Sequence, residues 1–160
     1  MSRRKGRILA FQGIFAWDAS HAPIEQISSF SWETEKNQKK IDEDDAVFAR
    51  LLLAGAIENI AEIDRLISAN IQRWDIDRLN KTDLAVLRIS IYSFLYQKDI
   101  HPTIIIDEGV SIAKHFGTDE SYKFINAILD SIKTSMGLDK VASDKSIVDQ
   151  TVIGQAAVEK

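Results

Sequence analysis

The 160-residue chain has no cysteine. That one absence removes disulfides, thiolate-bound zinc and a thiol nucleophile together. Prolines number two, Pro23 and Pro102, and glycines seven. The long stretches left between them favour helices over a turn-rich β architecture. No run reaches the ~18 consecutive apolar residues that a membrane-spanning helix needs. The apolar segment after the basic start, Phe11 to Trp17, is too short for a signal core and is interrupted by Gln12 and Gly13. The glycines form neither GxGxxG nor GxxxxGK[ST], and no GxSxG elbow occurs. The expectation is a cytoplasmic, non-catalytic protein without a cofactor.

What is present is an ordinary globular composition with an uneven charge distribution. At 45% hydrophobic and 28% charged residues, the chain is suited to a single core that buries roughly two-thirds of its unfolded surface. The net charge is −4. Arg3, Arg4, Lys5 and Arg7 fall within seven residues, with no acid before Asp18. Removing those four positive charges leaves −8 on the remainder. An acidic body with one dense basic arm suits a specific nucleic-acid contact better than general adhesion.

Periodicity gives the elements. Ile8, Phe11, Ile14 and Phe15 carry the 3,4 spacing of a helix beginning near Ser2 or Arg3. Cations in its first turns oppose the helix dipole, which invites a frayed arm or a bound anion. Pro23 opens a short helix with Ile24, Ile27 and Phe30; residues 31–41 read as a polar linker. Asp42 to Asp45 cap a long helix. Its expected core stripe is Val47, Leu51 and Ala54, continued by Ile57, Ile60, Ile63 and Ile67. Gly55 in that run costs ~1 kcal/mol against Ala, and close helix packing would be a reason to keep it. Trp74 to Leu79 suggests a single turn. Asn80 then caps a helix with Asp83 at its third position and Leu84, Leu87, Ile91 and Leu95 inside. Pro102 opens a helix through Ile105, Gly109, Ile112 and Phe116 that Gly117 ends. Thr118, Asp119 and Glu120 start the last one, with Phe124, Ile128 and Ile132 in a row, Ile125 and Leu129 beside it, and Gly137 closing it. The pattern predicts an all-α bundle of six or seven helices over 1–137, followed by a disordered tail at 138–160.

Candidate chemistry is sparse. His21, His101 and His115 share no metal-ligand spacing, and Asp42 to Asp45 lack the alternation of a calcium loop, so no metal site is expected. Four cations on a single strand would give a salt slope of about −3, although a terminal charge run alone is more simply a solvated face. Phe124 follows Lys123 one turn into a helix whose start attracts phosphate. It also lies on the apolar row, so base stacking and core packing are both open.

Three stretches of the chain resemble the NusB family of bacterial antitermination factors. The first runs from Arg3-Arg4-Lys5-Gly6-Arg7 into Phe11-Gln12-Gly13-Ile14-Phe15-Ala16-Trp17. The second is Leu53-Ala54-Gly55 with Asn59, then Asp83-Leu84-Ala85-Val86-Leu87-Arg88-Ile89 leading to Tyr92. The third, the most specific, is Ile106-Asp107-Glu108 through Ala113-Lys114-His115-Phe116-Gly117 to Ser121-Tyr122-Lys123-Phe124-Ile125-Asn126-Ala127-Ile128-Leu129-Asp130. Together they span residues 3–133. The resemblance implies an all-α protein of two helical subdomains. It would bind the boxA element of single-stranded RNA with the small-subunit ribosomal protein that doubles as NusE, in an antitermination complex on RNA polymerase that supports ribosomal RNA transcription.

By the same resemblance, Arg3, Arg4, Lys5 and Arg7 match an RNA-binding arm, Lys123 and Phe124 an RNA-contacting pair, and Gln12 a weaker contact. Asp83 matches an acidic position facing NusE, with Tyr92 near that surface or merely packed. The chain departs from the pattern at Gly6, which should loosen the arm, and at Tyr122, which adds a possible stacking surface. A homodimer that buried the arm would be autoinhibitory. Two other readings compete. One is the RNA-positioning domain of a ribosomal-RNA methyltransferase, opposed by the lack of a methyl-donor fold in this sequence; the other is a protein-binding helical module with an incidental basic arm.

Overall fold

The computed structural model describes residues 3–71 and 75–138. Among these, the chain forms eight α-helices and one 3₁₀ turn: α1 Arg3–Ser20, α2 Ile24–Ser28, α3 Glu35–Gln38, α4 Glu43–Glu58, α5 Ile60–Ile71, the 3₁₀ turn Ile76–Arg78, α6 Lys81–Tyr96, α7 Pro102–Phe116 and α8 Ser121–Ser135. No strand occurs among the described residues.

The expected helix starts follow from their caps. The Asp42 carboxylate accepts the Asp44 N–H at 3.1 Å. The Asn80 side-chain oxygen accepts from Thr82 and Asp83 N–H at 2.8 and 3.3 Å. His101 Nδ1 accepts from the Thr103 N–H at 3.1 Å, with Pro102 in the first turn behind it. Each satisfies backbone donors that the helix itself leaves open.

The helix count differs from six or seven for two reasons. Residues 31–41 are not a plain linker. Thr34 Oγ1 accepts the Asn37 N–H at 3.2 Å and the Glu33 carboxylate accepts from the Asn37 side chain at 3.1 Å, which holds α3 together. The long helix is two helices, broken at Asn59. There the backbone N–H and the side-chain amide both donate to the Gly55 carbonyl, at 3.1 and 2.8 Å. A side chain that competes for the helix's own acceptor ends it.

The stripe assigned to α4 is also corrected. Val47 and Leu51 are 56% and 54% exposed; the core takes Ala46, Phe48, Ala49, Leu52, Leu53 and Ala56 instead. Those residues meet α1, the helix that packs most extensively on α4. Gly6 does not loosen the arm. A Cβ there would stand 2.7 Å from Phe48 Cδ2, so its bareness lets α1 close on α4. Gly55 does the same further along, where a Cβ would overlap the Tyr92 ring.

α6 is the central element. Every residue from Asp83 to Phe94 is buried, as expected for a helix covered on all sides. α1, α4, α5, α7 and α8 all pack on it, and α7 and α8 form a hairpin. Leu138, placed in the tail by pattern, is 7% exposed and lies beside Phe94, Ile100, Pro102 and Ile105. The rest of that expected tail, 139–160, lies outside the described residues, as does Trp74.

Candidate nucleic-acid interface

The basic run occupies the first two turns of α1, and a helix turns successive residues by about 100°. Its four cations therefore face three ways. Arg3, Arg4 and Lys5 are exposed, whereas Arg7 is 6% exposed. The Arg3 and Arg7 guanidinium groups sit 4.7 and 5.5 Å from the centre of the Phe48 ring. Burial pushes the Arg7 pKa down, Glu108 opposes that shift and Arg3 adds to it. Arg7 is thus a packed cation under the arm rather than a charge presented to solvent.

Arg4 turns toward α7. Its Nε and Nη2 donate to the two carboxylate oxygens of Glu108 at 3.1 and 3.0 Å. An open groove of about 450 Å³ begins there, lined by Arg4, Ile8, Ser111, Ile112, Lys114 and His115. Lys114 Nζ lies 4.9 Å from the centre of the Tyr122 ring, and Lys123 Nζ lies 5.9 Å from the same centre. A cation–aromatic ridge therefore runs from Arg4 through Lys114 and Tyr122 to Lys123.

Phe124 falls between its two expected roles. The buried row of α8 is Ser121, Ile125, Ile128, Leu129 and Ile132, and Phe124 is half-buried at its edge. Lys5 and Gln12, two helical turns apart, face the other flank of α1. There they line a second groove with Asn37, Lys40 and Asp45. The structure thus joins Arg4 to Lys123 through Lys114 and Tyr122, and separates them from Lys5 and Gln12 by the ridge of α1. Tyr122 was visible in sequence as a stacking surface. Lys114 was not singled out, because a lysine in a last helical turn reads as a partner of the helix dipole.

The two residues expected to face a protein partner are buried. Asp83 is 8% exposed and its Oδ1 has no hydrogen-bond partner, while the neighbouring Ser121 hydroxyl accepts from the Thr118 N–H at 2.9 Å. Burial raises the Asp83 pKa and the nearby Ser121 hydroxyl opposes that. Tyr92 is also 8% exposed, lying over Gly55 with its ring 5.3 Å from that of Tyr96. What does reach solvent nearby is Tyr96, 49% exposed, whose hydroxyl donates to Asn59 Oδ1 at 2.8 Å. Val47 and Leu51 stand on the α4 face that continues to Gly55. Sequence periodicity missed this apolar surface because it assigned those two residues to the core.

No group of three or more His, Asp or Glu side chains that could hold a metal occurs among the described residues. No helix among them is long and apolar enough to cross a membrane.

Fold and site together define a helical module that presents charge and aromatic rings along α1, α7 and α8. The NusB family model matches residues 4–134, and the chain belongs to the NusB family. A transcription antitermination protein NusB of Treponema denticola is 52% identical over 133 residues, covering 83% of this chain and 96% of that protein. The solved structure of T. maritima NusB superposes with a TM-score of 0.73 at 34% identity, covering 84% of this chain and 92% of that one. A crystal structure of antitermination factors NusB and NusE in complex with double-stranded RNA matches with a TM-score of 0.71 over 83% of this chain and 96% of that one. At 24% identity it shows the fold.

Proposed function

We propose that this protein is a transcription antitermination factor. It binds boxA-type single-stranded RNA together with the NusE ribosomal protein, within an antitermination complex on RNA polymerase that supports ribosomal RNA transcription. It works in the cytoplasm by binding and catalyses no reaction. The observation that carries this reading is the ridge Arg4–Lys114–Tyr122–Lys123. Lysines and arginine meet phosphates, and an aromatic face takes an unpaired base, worth ~1–3 kcal/mol per base stacked. The name of the 52% identical relative supports antitermination. A solved complex of the same fold, 24% identical, holds NusE and double-stranded RNA. We place NusE against the exposed apolar residues Val47, Leu51 and Tyr96, with Tyr92 packed behind Tyr96, and keep Asp83, at the start of α6, as the acidic position that the resemblance assigns to this partner.

The test is RNA binding by fluorescence anisotropy across a salt series, with and without NusE. Contacts from Arg3, Arg4, Lys5, Lys114 and Lys123 give a slope of log K against log salt of about −3.5, at ~0.7 per single-strand contact. NusE should tighten binding, and a duplex of the same sequence should bind less tightly. A flat salt response rejects the reading. Sedimentation of the free protein, with RNA added as competitor, tests for a homodimer that covers the arm.

A further inference from the structure

We infer that α3 and the turn that follows it form the opposite wall of the RNA path, with Asn37 on the helix and Lys40 in the turn contacting the same strand that Lys5 and Gln12 contact. This rests on the RNA-binding reading and extends it to an element for which neither periodicity nor resemblance assigned a role. Lys5 and Gln12 do not face the Arg4–Lys123 ridge. They line a separate open groove of about 290 Å³, whose far side is Asn37, Lys40 and Ile41. If either touches RNA, the strand lies in this groove and meets α3.

The groove is built for a base flanked by phosphates. Its apolar surface comes from Ile8, Leu9 and Ile41, and the amides of Gln12 and Asn37 stand at its edges. Amides supply both donors and acceptors for base edges. The Asn37 side-chain nitrogen donates to Glu33 at 3.1 Å, which fixes the orientation of that amide before any ligand arrives. Lys5 and Lys40 are exposed on opposite walls, placed for the backbone on either side. Asp45 also lines the groove at 7% exposure, and Asp42, Glu43 and Asp44 continue the acidic first turn of α4. Those carboxylates repel a phosphate running along α4, so the strand is confined between α1 and α3. Asp45 can still accept from a base amino group. Ile8 lines both grooves, so the ridge of α1 separates them and one strand crossing it would reach both.

The experiment measures binding of a short fluorescein-labelled single-stranded RNA to the full chain over a salt series, for Lys40→Gln, Asn37→Ala, Lys40→Arg and Lys36→Gln. Lys36 lies on α3 with Asn37, four residues before Lys40, and lines neither groove. Lys40→Gln should weaken binding about threefold to tenfold and flatten the salt slope by about 0.7. Asn37→Ala should weaken it several-fold with the slope unchanged. Lys40→Arg should restore the slope, and Lys36→Gln should leave both quantities at the unsubstituted values. Equal effects of Lys36→Gln and Lys40→Gln would overturn the inference as general electrostatics. So would unchanged binding in both Lys40→Gln and Asn37→Ala while Arg4→Gln still weakens it. That second outcome leaves the RNA-binding reading standing, whereas failure of the unsubstituted protein to bind RNA removes the reading itself. Because Asn37→Ala also loosens α3, Lys40→Gln carries the decision if the melting temperature of the Asn37 variant falls.

Discussion

Glu108 holds a key position for the proposed arm, because one carboxylate occupies the guanidinium of Arg4 and also faces Arg7. A phosphate approaching Arg4 must displace it. Exposed ion pairs are worth up to about 1 kcal/mol. Glu108→Gln should therefore raise RNA affinity about threefold to fivefold, measured by anisotropy at low salt. Asp107→Asn, which removes the same charge from an exposed neighbour, should do less; equal gains from the two would mean that the Arg4 contact is irrelevant. A second carboxylate acts on stability instead. Burial raises the Asp83 pKa above its unfolded value of about 3.9. The native state then holds more protons than the unfolded state between those two values, and stability falls as pH rises through that window. Asp83→Asn removes this loss. It should raise the melting temperature at pH 7, and the advantage should vanish below about pH 4. An advantage that persists undiminished in acid would show that the ionisation of Asp83 is not its source.

At the scale of elements, α4 shows what a sequence pattern settles and what it leaves open. Its sequence from Ala46 to Ile57 is apolar almost all round, so more than one stripe satisfies helical spacing. Only the partners choose between them: α1 and α6 approach the face of Ala49, Leu52 and Ala56, where small residues permit contact. Caps, by contrast, were legible because Asp42 and Asn80 act on their own backbone within three residues. The same locality made the cations and Lys123 readable as candidates but not their directions, which depend on helix phase and on Phe48 and Glu108 arriving from elsewhere in the chain. Gly55 turns this contrast into a measurement. On propensity alone Gly55→Ala would gain about 1 kcal/mol. Its Cβ would overlap the Tyr92 ring, and overpacking costs about 1–3 kcal/mol. Denaturant unfolding should show net destabilisation, relieved when Tyr92→Leu is added. A stabilised Gly55→Ala would mean that the two helices separate at little cost.

The whole molecule binds its basic arm into the core rather than trailing it. α1 begins at Arg3 as helix, Gly6 and Arg7 are already buried, and the residues that follow pack on α4 and α6. The expected conflict between cations and the helix dipole is offset by tertiary contacts: Arg3 and Arg7 against Phe48, Arg4 against Glu108. An arm preformed in this way has little ordering left to do when a ligand arrives, so less of the interaction energy is consumed by folding on binding. Far-ultraviolet circular dichroism should accordingly show no gain in protein helicity when single-stranded RNA is added to saturation. The melting temperature should rise with RNA concentration, because a ligand of the native state stabilises it by about 2.7 kcal/mol at a hundredfold excess over Kd. Phe48→Ala removes the ring under Arg3 and Arg7. It should produce an arm that gains helicity on RNA binding and binds more weakly at every salt concentration, with the slope retained because the same charges remain. A helicity gain in the unsubstituted protein would instead show that the arm is ordered by RNA.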